Sequence, residues 1–347
     1  MSETSEAKRI LITGGGGYIG SVLTLTLLEA GHEVLVLDRF FFGRESLGPV
    51  LAHPNLELLK EDIRYVDPQL LEGIDVVVDL AGLSNDPTCD LDPEVTMDIN
   101  HRGTLRFAAL AKKVGVSRYI YSSSCSVYGS AADGPLDENS PVSPLSHYAR
   151  CKALCDEALL EKADESFVVT ILRNGTVFGL SGRMRFDLVV NLMTLTAHTS
   201  DTIYVLGGGK QWRPLIHIKD VARAFQLVMT ADAAVVNGQV FNAGGNDLNY
   251  QVRYIAEVVK EIYPGITIHA VPDDADKRSY PVCFNKIAEL LGFVPQYTVV
   301  DGVQEIGEAL RKGTVSDGIK ARTVEYYKYL LEAEQLLKAV LYDGRIF

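Results

Sequence analysis

The first forty residues contain the segment that most constrains the fold. Residues 9–12 predict a strand, residues 18–30 predict a helix that ends at Gly31, and a run of glycines lies between them. The loop TGGGGYIG places three glycines at intervals of three residues, at Gly14, Gly17 and Gly20. This spacing permits a tight turn, close approach of a diphosphate to the backbone, and close packing of the helix on the strand. The segment therefore predicts a strand–loop–helix unit that binds a dinucleotide.

An acidic residue ends the second predicted strand. Residues 33–37 (EVLVL) form that strand, and Asp38 follows 18 residues after Gly20. A carboxylate at this place can accept hydrogen bonds from both ribose hydroxyls and repels a 2′-phosphate. NAD is therefore favoured over NADP, although the adjacent Arg39 can soften that rejection. Asp62 and Ile63 follow a third short apolar run and are placed to reach the adenine.

Apolar runs and amphipathic stretches alternate through the first half of the chain. Residues 74–80 (IDVVVDL) and 118–122 (RYIYS) predict further strands, and residues 104–114 and 144–163 predict helices. Continuous apolar runs, unlike alternating ones, indicate strands that are covered on both faces. The pattern predicts an α/β fold with a Rossmann-type doubly wound parallel sheet.

The character of the chain changes near Gly179. Beyond it, glycine turns at 207–209 and 244–245 separate shorter elements, and a helix-rich tail runs over 312–341. We expect a Rossmann domain over residues 1–179 that binds NAD, to which parts of 213–245 return. Residues 180–347 are expected to form a smaller, interleaved substrate domain and the helical tail.

Charge and cysteine content narrow the classes of partner. The 33 Lys and Arg against 45 Asp and Glu give a net charge of −12, which disfavours nucleic acid and anionic membrane surfaces. No run of roughly 18 apolar residues occurs, and the polar N-terminus lacks a signal peptide's apolar core. We expect a soluble, cytoplasmic protein. The five cysteines form no CxxC pair, so we expect reduced thiols and no metal site.

Two neighbouring segments carry groups suited to proton transfer. Tyr148 and Lys152 are four residues apart and so share one face of a predicted helix. A phenol with a reference pKa of ~10 is a poor base at neutral pH, and we expect the lysine cation to lower that pKa. Upstream, residues 122–129 (SSSCSVYG) follow a core strand at its carboxyl end, where ligands meet doubly wound sheets. A serine there can donate to the substrate oxygen that Tyr148 deprotonates.

The chain resembles the extended short-chain dehydrogenase/reductase superfamily in four features that follow one another along the sequence. These are the glycine loop, Asp38, the serine-rich strand end and the Tyr-x-x-x-Lys pair. Within it, the chain is similar to the NAD-dependent nucleotide-sugar epimerase/dehydratase family. The resemblance extends from residue 10 to about residue 313. Further matching segments are 79–84 (DLAGLS), 100–104 (NHRGT), 173–179 (RNGTVFG), 213–221 (RPLIHIKDV) and Arg278 in DKRSY.

The resemblance implies a role for each matching residue. Tyr148 would be the general base and acid, Lys152 would also bind the nicotinamide ribose, and Ser124 would polarise the reacting oxygen. Arg213 and Arg278 would bind a nucleotide sugar's diphosphate through their guanidinium forks. The implied cofactor contacts are Gly14, Gly17, Tyr18, Ile19, Gly20, Asp38, Asp62, Ile63, Leu80, Ala81, Gly82, Asn100, Tyr148 and Lys152. The other implied substrate contacts are Ser84, Ser124, Cys125, Ser126 and Thr176, whereas His217 is expected to be a packed structural histidine.

Departures from the family pattern bear on the reaction. The 4,6-dehydratases carry an Asp-Glu pair directly after the catalytic Ser or Thr, because elimination of water needs an acid and a base. Cys125 and Ser126 stand there, which disfavours dehydration by that route. We expect hydride transfer at sugar C4, either as an epimerase or as a 4-dehydrogenase or 4-ketoreductase. Thr176 replaces the asparagine of typical 4-epimerases, and residues 183–191 and 276–280 resemble a branch that includes GDP-heptose 4-dehydrogenases.

Two further functions stay open at this stage. The chain resembles, less closely, reductases of apolar ketones, against which Arg213 and Arg278 argue. The second open function is a non-enzymatic scaffold that senses NAD. The presence of Ser124, Tyr148 and Lys152 argues against it. The resemblance also implies a homodimer in which the helices that start near residues 100 and 148 pack across a two-fold axis.

Overall fold

The computed structural model describes residues 7–130, 134–272 and 278–346. The strands are β1 (Arg9–Thr13), β2 (Glu33–Asp38), β3 (Leu56–Lys60), β4 (Val76–Asp79), β5 (Arg118–Ser124), β6 (Val168–Asn174), β7 (Thr176–Phe178), β8 (Thr202–Val205), β9 (Trp212–His217), β10 (Gln239–Ala243), β11 (Asn249–Gln251) and β12 (Thr267–Ala270). The α-helices are α1 (Tyr18–Glu29), α2 (Asp86–Cys89), α3 (Pro93–Met97), α4 (Thr104–Val114), α5 (His147–Leu160), α6 (Val189–Thr199), α7 (Ile218–Thr230), α8 (Ala233–Val236), α9 (Val252–Ile262), α10 (Asn285–Leu291), α11 (Val299–Lys312) and α12 (Thr323–Val340).

A seven-stranded parallel sheet forms the centre of the larger lobe. Its strand order is β10-β6-β5-β4-β1-β2-β3, so the chain reverses direction across the sheet between β1 and β4. Every residue of β4 and β6 is buried, as the continuous apolar runs predict. The doubly wound α/β fold is confirmed, and the reversal point marks the crevice where such sheets bind ligands.

Helices cover both faces of this sheet. One apolar cluster joins Leu23 and Leu27 of α1 to Val221 and Phe225 of α7. On the opposite face, α4 and α5 bury Phe107, Ala111, Cys155 and Leu159 against the same strands. Each strand therefore buries side chains in both directions, which fixes the sheet as the rigid base of the site.

The smaller lobe is built from two short sheets and three helices. One sheet has the order β11-β9-β7 and the other pairs β12 with β8. Helices α6, α9 and α11 bury apolar residues against these sheets, Val190, Ile255 and Val303 among them. Residues 239–243 return to the large sheet beside β6, while residues 212–217 stay in the three-stranded sheet.

The predicted elements differ from the structure mainly at their ends. The helix predicted over 144–163 begins at His147, because the Ser146 hydroxyl accepts a hydrogen bond from the Ala149 amide at 3.2 Å and caps it. In the helix-rich tail predicted over 312–341, α11 ends at Lys312, Gly313 follows with φ +68°, and α12 begins at Thr323. The cysteines are free. In the part of the chain described, no helix is long and apolar enough to cross a membrane.

Candidate active site

A cavity of about 1040 Å³ opens where the carboxyl ends of the central strands meet the smaller lobe. Both lobes and the first turn of α12 line it. Its volume is at the upper end of the range found for small-molecule sites, so it has room for two ligands side by side. The groups that surround it form three parts. These are the glycine-loop end, the predicted reaction centre at Ser124, Tyr148 and Lys152, and the outer end at Arg213 and Arg278.

The glycine loop forms a cradle that side chains would fill. Gly14 has φ +70°, and a Cβ there would lie 3.0 Å from the Ala81 backbone. A Cβ on Gly20 would lie only 2.3 Å from the Gly14 carbonyl oxygen, so α1 packs directly on the loop. The bare backbone at the N-terminus of α1 fits the diphosphate of a dinucleotide.

A buried carboxylate holds the cradle against the next strand. Asp79 accepts hydrogen bonds of 2.5 Å from the Thr13 hydroxyl and the Tyr119 phenol. The Thr13 oxygen in turn accepts from the amides of Leu80 and Ala81 at 3.1 Å. Burial raises the pKa of Asp79, while these hydrogen bonds lower it. The loops after β1 and β4 therefore form one rigid wall.

Asp38 lies at the far edge of the cradle. Its carboxylate accepts from the Gly16 amide at 2.9 Å and the Phe40 amide at 2.6 Å. Desolvation raises its pKa, and the two amides oppose that shift. Arg39 is held by an ion pair with Asp62 at 2.7 Å, and its guanidinium lies over the Phe41 ring. This arrangement fits NAD, because Arg39, the cation next to Asp38 in the chain, already has an anionic partner.

Three side chains meet at the reaction centre. Ser124 ends β5, and Tyr148 and Lys152 project from α5 into the same cavity. The Lys152 amine donates to the Ser122 carbonyl at 2.6 Å and lies over the Tyr121 ring at 4.4 Å. The amine is also 5.8 Å from the centre of the Tyr148 ring. The helix face predicted from the four-residue spacing therefore faces the cavity.

The Tyr148 pKa is raised, and not lowered as the four-residue spacing from Lys152 predicts. Desolvation raises this pKa, the Cys89 thiol raises it further, and the Arg185 guanidinium lowers it. Burial also lowers the pKa of Lys152 itself. The sequence could not show this, because the burial of the phenol and the approach of Arg185 arise only in the folded chain.

A buried ion pair supports the strand end under Ser124. Arg173 on β6 contacts Asp156 of α5 at 2.8 Å and donates to the Tyr128 phenol at 3.0 Å. The next residue, Asn174, donates to the Ser122 hydroxyl at 3.0 Å. These contacts join β5, β6 and α5 beneath the reaction centre and fix its geometry.

All but two of the predicted site residues line the cavity. Asn100 is buried behind the wall, where its amide group exchanges hydrogen bonds of 2.8 Å with the backbone of Leu83. Cys125 is also buried, with its thiol donating to the Arg173 carbonyl. Neither side chain faces the cavity. His217 is buried away from it, 2.8 Å from Glu305 and stacked on Tyr297.

The outer end contains the two arginines expected to bind diphosphate. Arg213 on β9 donates to the carbonyl oxygens of Trp212 and Arg278. Arg278 forms an ion pair with Asp86, which also accepts from the Ser146 hydroxyl. The phenol of Tyr280 lines the same wall, and burial raises its pKa to about 12.

A charged segment that the sequence analysis used only as a resemblance also lines the cavity. Arg185 forms a two-pronged ion pair with Asp187, at 3.1 and 2.8 Å. Asp187 also accepts from the Asn85 side chain. Arg183 lies two residues earlier and faces the same cavity. The sequence signal that could have identified these residues is the three charges at 183, 185 and 187, just before an apolar stretch that becomes a buried helix.

The model of the NAD dependent epimerase/dehydratase family matches residues 10–244. UDP-glucuronic acid decarboxylase 1 of Danio rerio is 30% identical over 86% of this chain and 72% of its own. UDP-glucose 4-epimerase of Corynebacterium glutamicum is 27% identical over 84% of this chain and 92% of its own.

Solved structures agree with these relatives. The dTDP-glucose 4,6-dehydratase DesIV of Streptomyces venezuelae, solved with NAD, superimposes with a TM-score of 0.76 and 28% identity, over 92% of this chain and 97% of its own. A UDP-glucose 4-epimerase of Thermotoga maritima superimposes with a TM-score of 0.78 and 25% identity, over 88% of this chain and 100% of its own. These four proteins are named as a decarboxylase, two epimerases and a dehydratase, so they differ in reaction.

Proposed function

Because the chain belongs to the NAD-dependent epimerase/dehydratase family, we propose that it transfers a hydride at C4 of a nucleotide-linked sugar, as an epimerase. Bound NAD supplies the hydride acceptor. The observation that carries the proposal is the placing of Ser124, Tyr148 and Lys152 in one cavity with the glycine loop. A carbinol held there meets a hydrogen-bond donor, a base and a cation at one point.

Each of these residues has a distinct task. Tyr148 takes the proton from the C4 hydroxyl and returns it to the ketone. Ser124 donates a hydrogen bond to the same oxygen and so polarises it. Lys152, fixed by the Ser122 carbonyl, keeps a positive charge beside the phenol and binds the nicotinamide ribose.

The substrate diphosphate is assigned to the outer end. Arg213 and Arg278 line the cavity on the side of the smaller lobe and carry permanent positive charge. A substrate bound there by its diphosphate extends its sugar toward Tyr148. The permanent positive charge at this end supports an anionic diphosphate over an apolar ketone.

The acidic groups near the reaction centre support redox chemistry over elimination. Two of the acidic side chains that line the cavity are already in ion pairs, Asp86 with Arg278 and Asp187 with Arg185. The buried Cys125 thiol, whose pKa is raised by desolvation, is a poor acid or base for removing water. Hydride transfer at C4 needs no proton-transfer group other than Tyr148.

The second candidate is a 4-dehydrogenase or 4-ketoreductase, in which the ketosugar enters or leaves. The specific observation in its favour is the bracing around the sugar position. Asp187 ties Arg185 to Asn85, and Asp86 ties Arg278 to Ser146. Walls held by such contacts restrain the turning of a ketosugar that epimerisation at C4 requires.

Product analysis tests the proposal. The protein is incubated with UDP-, dTDP- and GDP-linked hexoses, and the products are separated and weighed. An isomer of unchanged mass supports the epimerase, whereas a loss of two hydrogens supports the dehydrogenase. Loss of water or carbon dioxide would overturn both assignments. Tyr148→Phe should nearly abolish turnover, and Tyr65→Phe, at an exposed tyrosine outside the cavity, is its matched control.

We also propose a homodimer through α4 and α5, which lie together on one face of the sheet. Their outer sides would pack against the same helices of a second copy. Light scattering at several concentrations tests this, and a mass of one chain throughout would contradict it.

A further inference from the structure

Arg183 is a buried cation held by uncharged groups. Its guanidinium lies 3.8 Å from the centre of the Phe42 ring, and one terminal nitrogen donates to the Thr323 hydroxyl at 3.0 Å. Its Nε is buried without a hydrogen-bond partner. Within the described residues, no carboxylate forms an ion pair with it. Burial and the neighbouring Arg185 lower its pKa to about 10, so it is charged at neutral pH.

The segment that carries Arg183 packs directly on the glycine loop. The Ser181 hydroxyl donates to the Tyr18 carbonyl at 2.8 Å. A Cβ on Gly182 would lie 2.1 Å from the Ser46 carbonyl oxygen, and the Ser46 hydroxyl donates to the Gly16 carbonyl at 2.9 Å. Arg183 therefore faces the cavity directly beside the cradle that fits a diphosphate.

The C-terminal helix α12 completes this wall. From its first turns, Tyr327 lines the cavity and Thr323 accepts the hydrogen bond from Arg183. The Tyr326 phenol donates to the Phe41 carbonyl at 2.9 Å. Arg183 lowers the pKa of Tyr327, against a larger effect of burial, so the two side chains are close. This helix lies outside residues 10–244, the part matched by the family model.

We propose that Arg183, positioned by Phe42 and Thr323, binds the diphosphate of the dinucleotide cofactor beside the glycine loop. The buried, unpartnered Nε and the adjacent cradle carry this inference. A guanidinium presents two parallel N–H donors to phosphate oxygens, and a site closed to water strengthens that contact. The inference rests on the proposed function only in that the bound dinucleotide is NAD.

The test separates the phosphates from the rest of the ligand. Adenosine, ADP-ribose and UDP are titrated into the full chain freed of nucleotide, with and without Arg183→Met. We expect ADP-ribose to bind about 10- to 100-fold more weakly to the variant. Adenosine has no phosphate and is expected to bind equally to both proteins. High salt should narrow the difference for ADP-ribose, since it screens the charge.

Two other results would overturn the inference. Equal weakening of adenosine and ADP-ribose would mean that Arg183 only holds the wall together. Weaker binding of UDP, with unchanged binding of ADP-ribose, would assign Arg183 to the substrate diphosphate.

Milder variants cover the case in which Arg183→Met does not fold. Arg183→Lys keeps the charge but loses the fork, and Thr323→Val removes the hydroxyl that positions it. Both substitutions should weaken the binding of ADP-ribose several-fold and leave the binding of adenosine unchanged. Equal affinity for ADP-ribose in both variants and the parent protein would refute the inference. Since no sugar is present, these results stand apart from a failure to find a nucleotide-sugar substrate.

Discussion

Substitution of Gly20 by alanine tests the close packing of the glycine loop on its helix. A Cβ at this position would lie 2.3 Å from the Gly14 carbonyl oxygen and 2.6 Å from the Gly15 Cα. Both neighbours are backbone atoms of the cradle itself, so no flexible side chain can move away. The helix and the loop must separate by about 1 Å before the contact becomes ordinary.

The size of the effect follows from that displacement. Overpacking of this kind costs about 1–3 kcal/mol of folding free energy. A shift of about 1 Å in a binding group can reduce its contribution by about 100-fold, or 2.7 kcal/mol. We therefore expect Gly20→Ala to bind NADH about 100-fold more weakly than the parent protein while still folding.

Gly31→Ala is the matched control. Gly31 has φ +86° at the end of the same helix, and a Cβ there meets nothing within 4 Å. The alanine costs about 1 kcal/mol through backbone strain, away from the cavity. Thermal melting and NADH fluorescence titration are measured on both variants. Equal NADH affinity in Gly20→Ala and Gly31→Ala would refute the packing argument.

Two further predictions concern the reaction centre. Asp156→Ala leaves the Arg173 guanidinium buried without its carboxylate, so the free energy of unfolding measured in urea should fall by about 3–5 kcal/mol. The joint Asp156→Leu/Arg173→Met change removes both charges and should cost less. Equal losses of stability in the two variants would contradict this. Arg185→Met removes a cation that lowers the Tyr148 pKa, so the rise of kcat/KM with pH for sugar oxidation should move to higher pH. An unchanged pH profile would remove Arg185 from that role.

The sequence predicted the sheet well because its strands are buried on both faces. Continuous apolar runs identify such strands without knowledge of their neighbours, as β4 and β5 show. The helix predicted over 104–114 has the same bounds in the structure, since Gly115 ends it with φ +94°. Local signals of this kind suffice where the chain itself fixes the conformation.

Side-chain direction was predicted less well. Ser124 and Ser126 line the cavity while Cys125, between them, points to the Arg173 carbonyl, because β5 ends at Ser124 and Cys125 begins a 3₁₀ turn. Asn100 lies in a π-helical turn that directs it to the Leu83 backbone. A motif match gives the position of a residue but not the direction in which its side chain points.

Electrostatics depended most on the tertiary structure. Arg183 owes its environment to Thr323, 140 residues away, and no local pattern connects the two. The Tyr148 pKa likewise depends on burial and on Arg185 of another segment. These effects require the packed molecule, because desolvation and long-range charge have no signature in sequence spacing.

The central claim is hydride transfer at C4 with Tyr148 as the base, and isotope transfer tests it most directly. The protein is incubated with nucleotide sugars deuterated at C4, and the masses of product and released cofactor are measured. We predict deuterium either retained at C4 of an isomer or transferred to the reduced cofactor, with neither outcome in Tyr148→Phe that still contains NAD. A product that has lost water or carbon dioxide, or an active Tyr148→Phe variant, would contradict the claim.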